Sequence, residues 1–182
     1  MNVAIVGATG YGGIQAVNLL KKNKNYKISF LGGNKTSGSK WNDNFPFIYL
    51  DNDPYVEEIS VDNISKNADV ALLCLPNGLS STLTRKLLER GVKVIDLSAD
   101  YRYKSLDEWK KVYSKEAAIF KRSDDDLCKE AVYGLPEINK EAISKGRLIA
   151  CPGCYPTSAL IPLVPYLSQG IIENEGIVID SK

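Results

Sequence analysis

Two of the four cysteines stand three residues apart in Cys151-Pro-Gly-Cys154-Tyr-Pro-Thr157, and this segment carries the clearest chemical signal in the 182-residue chain. A cysteine acts as a nucleophile through its thiolate, and a free thiol with a pKa of about 8.5 is mostly protonated at neutral pH. A helix N-terminus lowers that pKa by setting unpaired backbone N–H groups beside the sulfur. The sequence prepares such a place for Cys154. The apolar run Leu148-Ile-Ala-Cys151 reads as a strand, and Ser158, Leu160 and Ile161 open an apolar helical run just beyond. Pro162 and Pro165 predict that this helix is kinked or broken.

Other uses of a C-x-x-C pair fit less well. A thioredoxin-like redox pair sits near a short βαβ unit, whereas this pair follows 150 residues of chain. A zinc site needs four ligands, and the chain has no second C-x-x-C and no histidine. Two core cysteines would not call for the rigid Pro-Gly and Tyr-Pro-Thr surround. The reading favoured is one nucleophile, Cys154, with Cys151 as its neighbour. The absence of histidine also removes the commonest general base.

A second signal opens the chain. Gly7-Ala-Thr-Gly10-Tyr-Gly12-Gly13 follows the β-branched run Asn2–Val6 and precedes Ile14, Val17 and Leu20 at helical spacing. Glycines at a strand–turn–helix junction permit a tight turn and let backbone N–H groups approach a pyrophosphate at the positive end of the helix. The spacing Gly7, Gly10, Gly13 carries one more residue before the middle glycine than the usual G-x-G-x-x-G. A tight turn without a ligand is the alternative. An NAD site places a carboxylate on the ribose 2′-OH about 20 residues on. Here that place reads Leu31-Gly-Gly-Asn-Lys-Thr-Ser-Gly38, without a carboxylate. Asn34 and Lys35, followed by Thr36 and Ser37, suit a 2′-phosphate instead, so NADP is expected as the cofactor. A solvated loop lysine is the plainer reading of Lys35.

These groups need a scaffold, and the remaining pattern supplies one. Lys27–Leu31, Asp69–Leu75 and Val92–Asp96 read as further strands. A helix is expected over about Ser80–Arg90, with Leu83, Leu87 and Leu88 on one face and Gly91 as its stop. Gly32 to Pro54 reads as a long loop, and residues 101–130 as a charged, partly helical excursion. Near-continuous apolar strands alternating with helices predict an α/β, Rossmann-like doubly wound parallel sheet. Ile177-Val-Ile-Asp-Ser-Lys182 reads as a strand interrupted by the end of the sequence, which predicts a truncated or fragmentary chain. The net charge of +1 gives no electrostatic case for nucleic acid or an anionic membrane. The longest apolar runs are far too short to span a bilayer. A cytoplasmic protein is expected.

Five segments in order along the chain carry a family resemblance: Gly7-Ala-Thr-Gly-Tyr-Gly12, Leu73-Cys-Leu-Pro76, Asp96-Leu-Ser-Ala-Asp-Tyr-Arg102, Tyr133-Gly-Leu-Pro-Glu137 and Pro152-Gly-Cys-Tyr-Pro-Thr157. The chain resembles the N-terminal part of the N-acetyl-γ-glutamyl-phosphate reductases of arginine biosynthesis. The resemblance implies an oxidoreductase of the semialdehyde dehydrogenase type that is oligomeric when full length. It would use NADPH to reduce N-acetyl-L-glutamyl 5-phosphate to the 5-semialdehyde with release of phosphate. Cys154 would form the thioester. Gly7, Thr9, Gly10, Tyr11, Gly12 and Gly13 would lie under the dinucleotide, with Pro76 close by. The implied division is an NADP-binding domain over residues 1–150, then residues 151–182 as the catalytic-cysteine segment and start of a truncated α+β substrate and dimerisation domain. The family's catalytic histidine belongs to that later part, so the present chain alone is expected to be inactive. Two residues depart from the family pattern, Cys151 where Asn is usual and Asn77 where His is common. The alternatives are an amino-adipyl-phosphate reductase of lysine biosynthesis and a non-catalytic NADP-binding module.

Overall fold

A computed structural model describes residues 1–180. Six strands, β1 (Asn2–Val6), β2 (Lys27–Gly32), β3 (Val70–Leu73), β4 (Lys93–Asp96), β5 (Val132–Tyr133) and β6 (Leu148–Ala150), form one sheet in the order β2-β1-β3-β4-β6-β5. All five pairings are parallel. The doubly wound sheet read from the sequence is the fold observed.

Side chains alternate across a strand, and the central strands bury both sets. Val3 and Ile5 of β1 pack with Val17, Leu31, Trp41 and Ile48, whereas Ala4 and Val6 pack with Ile64, Leu73, Leu87 and Val94. One irregularity adjusts this pattern. Val3 pairs with Ile28 but Ala4 pairs with Phe30, so Ser29 is an extra residue in β2. The bulge lets Ile28 and Leu31, three apart, serve the same core.

Helix α1 (Tyr11–Leu20) covers β1 and β2, while α3 (Val61–Asn67) and α4 (Ser81–Glu89) pack together on the other face. The expected long loop holds more order than its composition indicates. A short helix α2 (Trp41–Asn44) and a 3-10 turn (Pro46–Ile48) fold over the fully buried Trp41, whose Nε1 donates to the Ile48 carbonyl at 2.7 Å. The Asn42 amide exchanges two hydrogen bonds of 2.9 Å with the backbone of Leu50. Polar Asn and Gly composition masked a segment tied by one buried indole.

The charged excursion contains α5 (Leu106–Val112), α6 (Ser114–Ile119) and α7 (Asp125–Glu130), closed by a buried cation. Both arms of Arg122 reach Asp124 at 3.0 Å, and its guanidinium lies 5.0 Å from the Tyr101 ring and 4.5 Å from the Trp109 ring. Helix α8 (Pro136–Lys145) and the two-residue β5 were not anticipated from the sequence.

Two expectations, a break in the helix at its prolines and a strand after it, fail near the C-terminus. Helix α9 (Cys154–Ser168) continues through Pro162 and Pro165 as a single element. Both prolines are exposed, so the carbonyls of Ser158 and Ile161 that lose their amide partners are free to meet water. Residues 177–180 form no strand. A strand needs a neighbour's backbone, and these residues lie instead beside Ser158, Ala159, Pro162 and Leu163 of α9. The final two residues of that expected strand, Ser181 and Lys182, lie outside the described residues.

Candidate active site

Parallel strands deliver their C-terminal ends to one edge of the sheet, and the chemistry read from the sequence collects there. Strand order reverses between β1 and β3, which opens a crevice between the loops that follow them. The Gly7–Gly13 turn leaves β1 and Cys74-Leu-Pro76 leaves β3. The main chain of Gly7 takes φ +81°, and a Cβ there would stand 2.3 Å from the Cys74 carbonyl oxygen. A Cβ on Gly13 would stand 2.2 Å from the Gly7 carbonyl oxygen, so α1 begins pressed onto the strand end. Gly10 differs, because its open side meets nothing nearer than Gly7 O at 3.5 Å. No acidic residue occupies the first turn of α1, whose leading amides have no partner inside the helix. This is a cradle in which a pyrophosphate fits. Tyr11, the first residue of the helix, is 96% exposed.

Gly32 ties the second strand to this cradle, since its carbonyl accepts the N–H groups of Gly7 and Ala8, both at 2.9 Å. The hydroxyls of Thr9 and Thr36 stand 3.4 Å apart. The 34–37 segment therefore adjoins the glycine turn, as the sequence predicts. Asn34 and Lys35 are exposed, and no carboxylate pairs with Lys35 among the described residues.

The 96–102 segment, whose residue pattern alone reveals no role, fastens the surrounding loops. The Asp100 carboxylate accepts the N–H groups of Gly78 at 2.6 Å and Ser81 at 2.9 Å. Asn77 Oδ1 accepts Ala99 N–H at 2.9 Å. These bonds fix the turn that carries the exposed Pro76 toward α4. They join residues about twenty apart, which no local periodicity reveals. Arg102 Nε donates to the Cys151 carbonyl at 2.8 Å and Nη2 to the Leu97 carbonyl at 3.0 Å. Asp96 is fully buried and accepts Ser98 N–H at 3.0 Å and Ser98 Oγ–H at 2.8 Å. Burial pushes its carboxyl up to about 6, and burial raises Asp100 as well.

Cys154 is the first residue of α9 and is exposed, with Gly153 before it in an extended conformation. The Gly153 carbonyl accepts both Thr157 N–H at 3.0 Å and Thr157 Oγ–H at 2.8 Å, which sets the first turn. The other three thiols are sheltered. Burial pushes Cys74 up to about 12, and Cys151 and Cys128 each to about 11. Cys74 and Cys151 flank Leu97 from adjoining strand ends, through Leu97 N–H to Leu73 O at 3.0 Å and Cys151 N–H to Asp96 O at 2.8 Å. Two strand spacings, about 9–10 Å, exceed the reach of a disulfide, about 7 Å. One accessible thiol at a helix start, on the same C-terminal edge of the sheet as the glycine turn, suits nucleophilic attack on an activated acyl group.

Comparison with known proteins identifies the scaffold. Residues 2–146 match the family model for the semialdehyde dehydrogenase NAD-binding domain. Over all 182 residues the chain is 97% identical to an N-acetyl-gamma-glutamyl-phosphate reductase of Prochlorococcus marinus (strain MIT 9215), covering 52% of that protein. Over 180 residues, 99% of the chain, it is 54% identical to the protein of the same name from strain MIT 9211, covering 50% of it. The chain thus spans about half the length of the curated relatives it matches. Among solved structures, an aspartate semialdehyde dehydrogenase II of Vibrio cholerae complexed with ASA is similar with a TM-score of 0.61 and 25% identity, over 92% of this chain and 46% of that one. The aspartate semialdehyde dehydrogenase of Candida albicans with NADP shares the fold, with a TM-score of 0.60 and 20% identity over 92% of this chain and 47% of that one. The chain belongs to the semialdehyde dehydrogenase family, of which it carries the NAD-binding domain.

Proposed function

We propose that this chain is the cofactor-binding and nucleophile-bearing part of a reductase. The enzyme converts N-acetyl-L-glutamyl 5-phosphate and NADPH to N-acetyl-L-glutamate 5-semialdehyde, NADP and phosphate. The observation that carries the reading is Cys154, the exposed thiol at the start of α9, in a chain 97% identical along its length to a reductase named for that substrate. That name favours the glutamyl over the amino-adipyl substrate. A thiol so presented also argues against a mere binding module.

In this scheme the Cys154 sulfur attacks the acyl carbon, a C–S bond forms, and the C–O bond to phosphate breaks. NADPH, when bound, supplies the hydride that reduces the thioester carbon. Collapse to the aldehyde breaks the C–S bond and returns the thiolate to Cys154. Gly7, Thr9, Gly10, Tyr11, Gly12 and Gly13 surround the dinucleotide, and the amides leading α1 face its pyrophosphate. Asn34 and Lys35 receive the 2′-phosphate, while Pro76 borders the crevice from the β3 side. The chain contains no histidine, so proton handling in this scheme falls to groups beyond these residues. Residues 1–150 form the cofactor domain, and residues 151–182 begin the substrate domain. Helix α9 has no fully buried residue, as expected of an element that packs against further structure. The complete enzyme is an oligomer in the cytoplasm.

The test is phosphate-dependent reduction of NADP by the full-length protein with the semialdehyde as substrate. Cys154→Ser abolishes the reaction and leaves NADPH binding intact; retained turnover in that variant refutes the scheme.

A further inference from the structure

The start of α4 and the segment that joins α6 to α7 enclose a groove of about 370 Å³. Residues Phe120–Asp124 form one wall and alternate between anchored and displayed side chains. The Phe120 ring is seated on Gly78, where a Cβ would come within 2.1 Å of it. Arg122 commits all three nitrogens to the fold. Nε and Nη2 reach the two Asp124 oxygens at 3.0 Å, and Nη1 donates to the Asp100 carbonyl at 2.7 Å. Lys121 and Ser123 stand between these anchors, exposed along the groove. Arg85 and Lys86, one turn into α4, line the other wall.

Carboxylates leave most of this positive charge uncompensated. Asp124 lines the groove, but Arg122 takes both its oxygens. Arg85 gives one nitrogen to Asp126 at 2.6 Å, and no acid pairs with Lys86 or Lys121 among the described residues. The first amides of α4 are already used, Ser81 N–H by Asp100 and Thr82 N–H by the Leu79 carbonyl. The open donors are therefore Lys86, Lys121, the second arm of Arg85 and the Ser123 hydroxyl. Beside them, Phe120 and the 74% exposed Ile119 present apolar surface. We propose that this groove binds a phosphate monoester, its head on these donors and its organic part against Ile119 and Phe120. Such a head carries a charge of about −1.5 to −2 at pH 7, which three cationic groups match. A guanidinium fork suits its oxygens. Because Phe120, Arg122 and Asp124 are fastened, Lys121 and Ser123 are held in place before any ligand arrives, which lowers the ordering cost of binding.

Calorimetric titration of the full-length protein with phenyl phosphate and with inorganic phosphate decides the matter, on wild type and on Lys86→Ala, Lys121→Ala and Lys121→Arg. Both lysines are exposed and form no ion pair among the described residues, so fold and turnover should be kept in all three variants. The expected result is saturable binding of phenyl phosphate, weaker by about tenfold in each alanine variant, the scale of one charge-assisted contact. Lys121→Arg keeps the charge and should retain the affinity. Phenyl phosphate should bind more tightly than inorganic phosphate, because only the ester reaches the apolar wall. Phosphate held at the reductase's own substrate site would survive both alanine substitutions. An isotherm unchanged in Lys86→Ala and Lys121→Ala, or no saturable binding at all, therefore overturns the proposal. Inorganic phosphate binding as tightly as the ester overturns its assignment to a monoester. The Cys154→Ser assay tests the thioester reading separately, so failure of one is not failure of the other.

Discussion

Replacing Asp96 by Asn tests the electrostatics beneath the site with a change that alters almost no volume. The carboxyl is fully buried at the end of β4, and burial raises its pKa from 3.8 to about 6. The folded chain therefore holds this proton up to about pH 6, whereas the unfolded chain releases it near 3.8. Between those values the folded state binds more protons, so stability falls as pH rises, and above pH 6 the full penalty is present. A shift of about two units corresponds to about 3 kcal/mol. The asparagine amide can still accept Ser98 N–H and donate to Ser98 Oγ, so the geometry seen at 3.0 and 2.8 Å has no reason to break. Asp100 titrates in both proteins and largely cancels in the difference. Urea unfolding at about pH 4 and about pH 7.5 should show Asp96→Asn gaining roughly 2–3 kcal/mol on wild type between the two conditions. A difference independent of pH would refute the assignment of a buried, proton-holding carboxyl.

Removing the buried cation is expected to cost more. Arg122→Ala leaves Asp124 without its partner in a nearly dry site and should destabilise by about 3–5 kcal/mol in denaturant unfolding. Gly13→Ala drives a Cβ to within 2.2 Å of the Gly7 carbonyl, so NADPH affinity by calorimetry should fall by about tenfold or more. Lys35→Ala should weaken NADPH by about tenfold while leaving NADH unchanged, the loss of one charged contact to the 2′-phosphate. Equal losses for both cofactors would remove Lys35 from the phosphate site.

The sheet was legible because its signals are local. Five of the six strands are short apolar runs bounded by glycine, proline or charge, and α4 follows the Leu83, Leu87 and Leu88 face at helical spacing. The glycine turn before α1 and the strand-to-helix junction before α9 were legible as local structure, because each couples a short apolar run to a helical pattern through glycine or proline. What the sequence hid was non-local. Trp41 organises a polar stretch through one bond to Ile48, and Asp100 and Arg102 act across 19 to 49 residues of chain. The expected strand at 177–180 failed because apolar alternation creates no strand without a backbone to pair with. The two prolines of α9 failed as helix breakers because the carbonyls they orphan can turn to solvent.

The central claim is a covalent bond at one named sulfur. Full-length protein mixed with N-acetyl-L-glutamyl 5-phosphate in the absence of NADPH, quenched in acid and digested, should yield a peptide containing Cys154 that carries the N-acetyl-glutamyl group as a thioester. Hydroxylamine should release the adduct, and NADPH added before the quench should discharge it as the aldehyde. An adduct on Cys74, Cys128 or Cys151, or turnover through which Cys154 stays unmodified, would contradict the account.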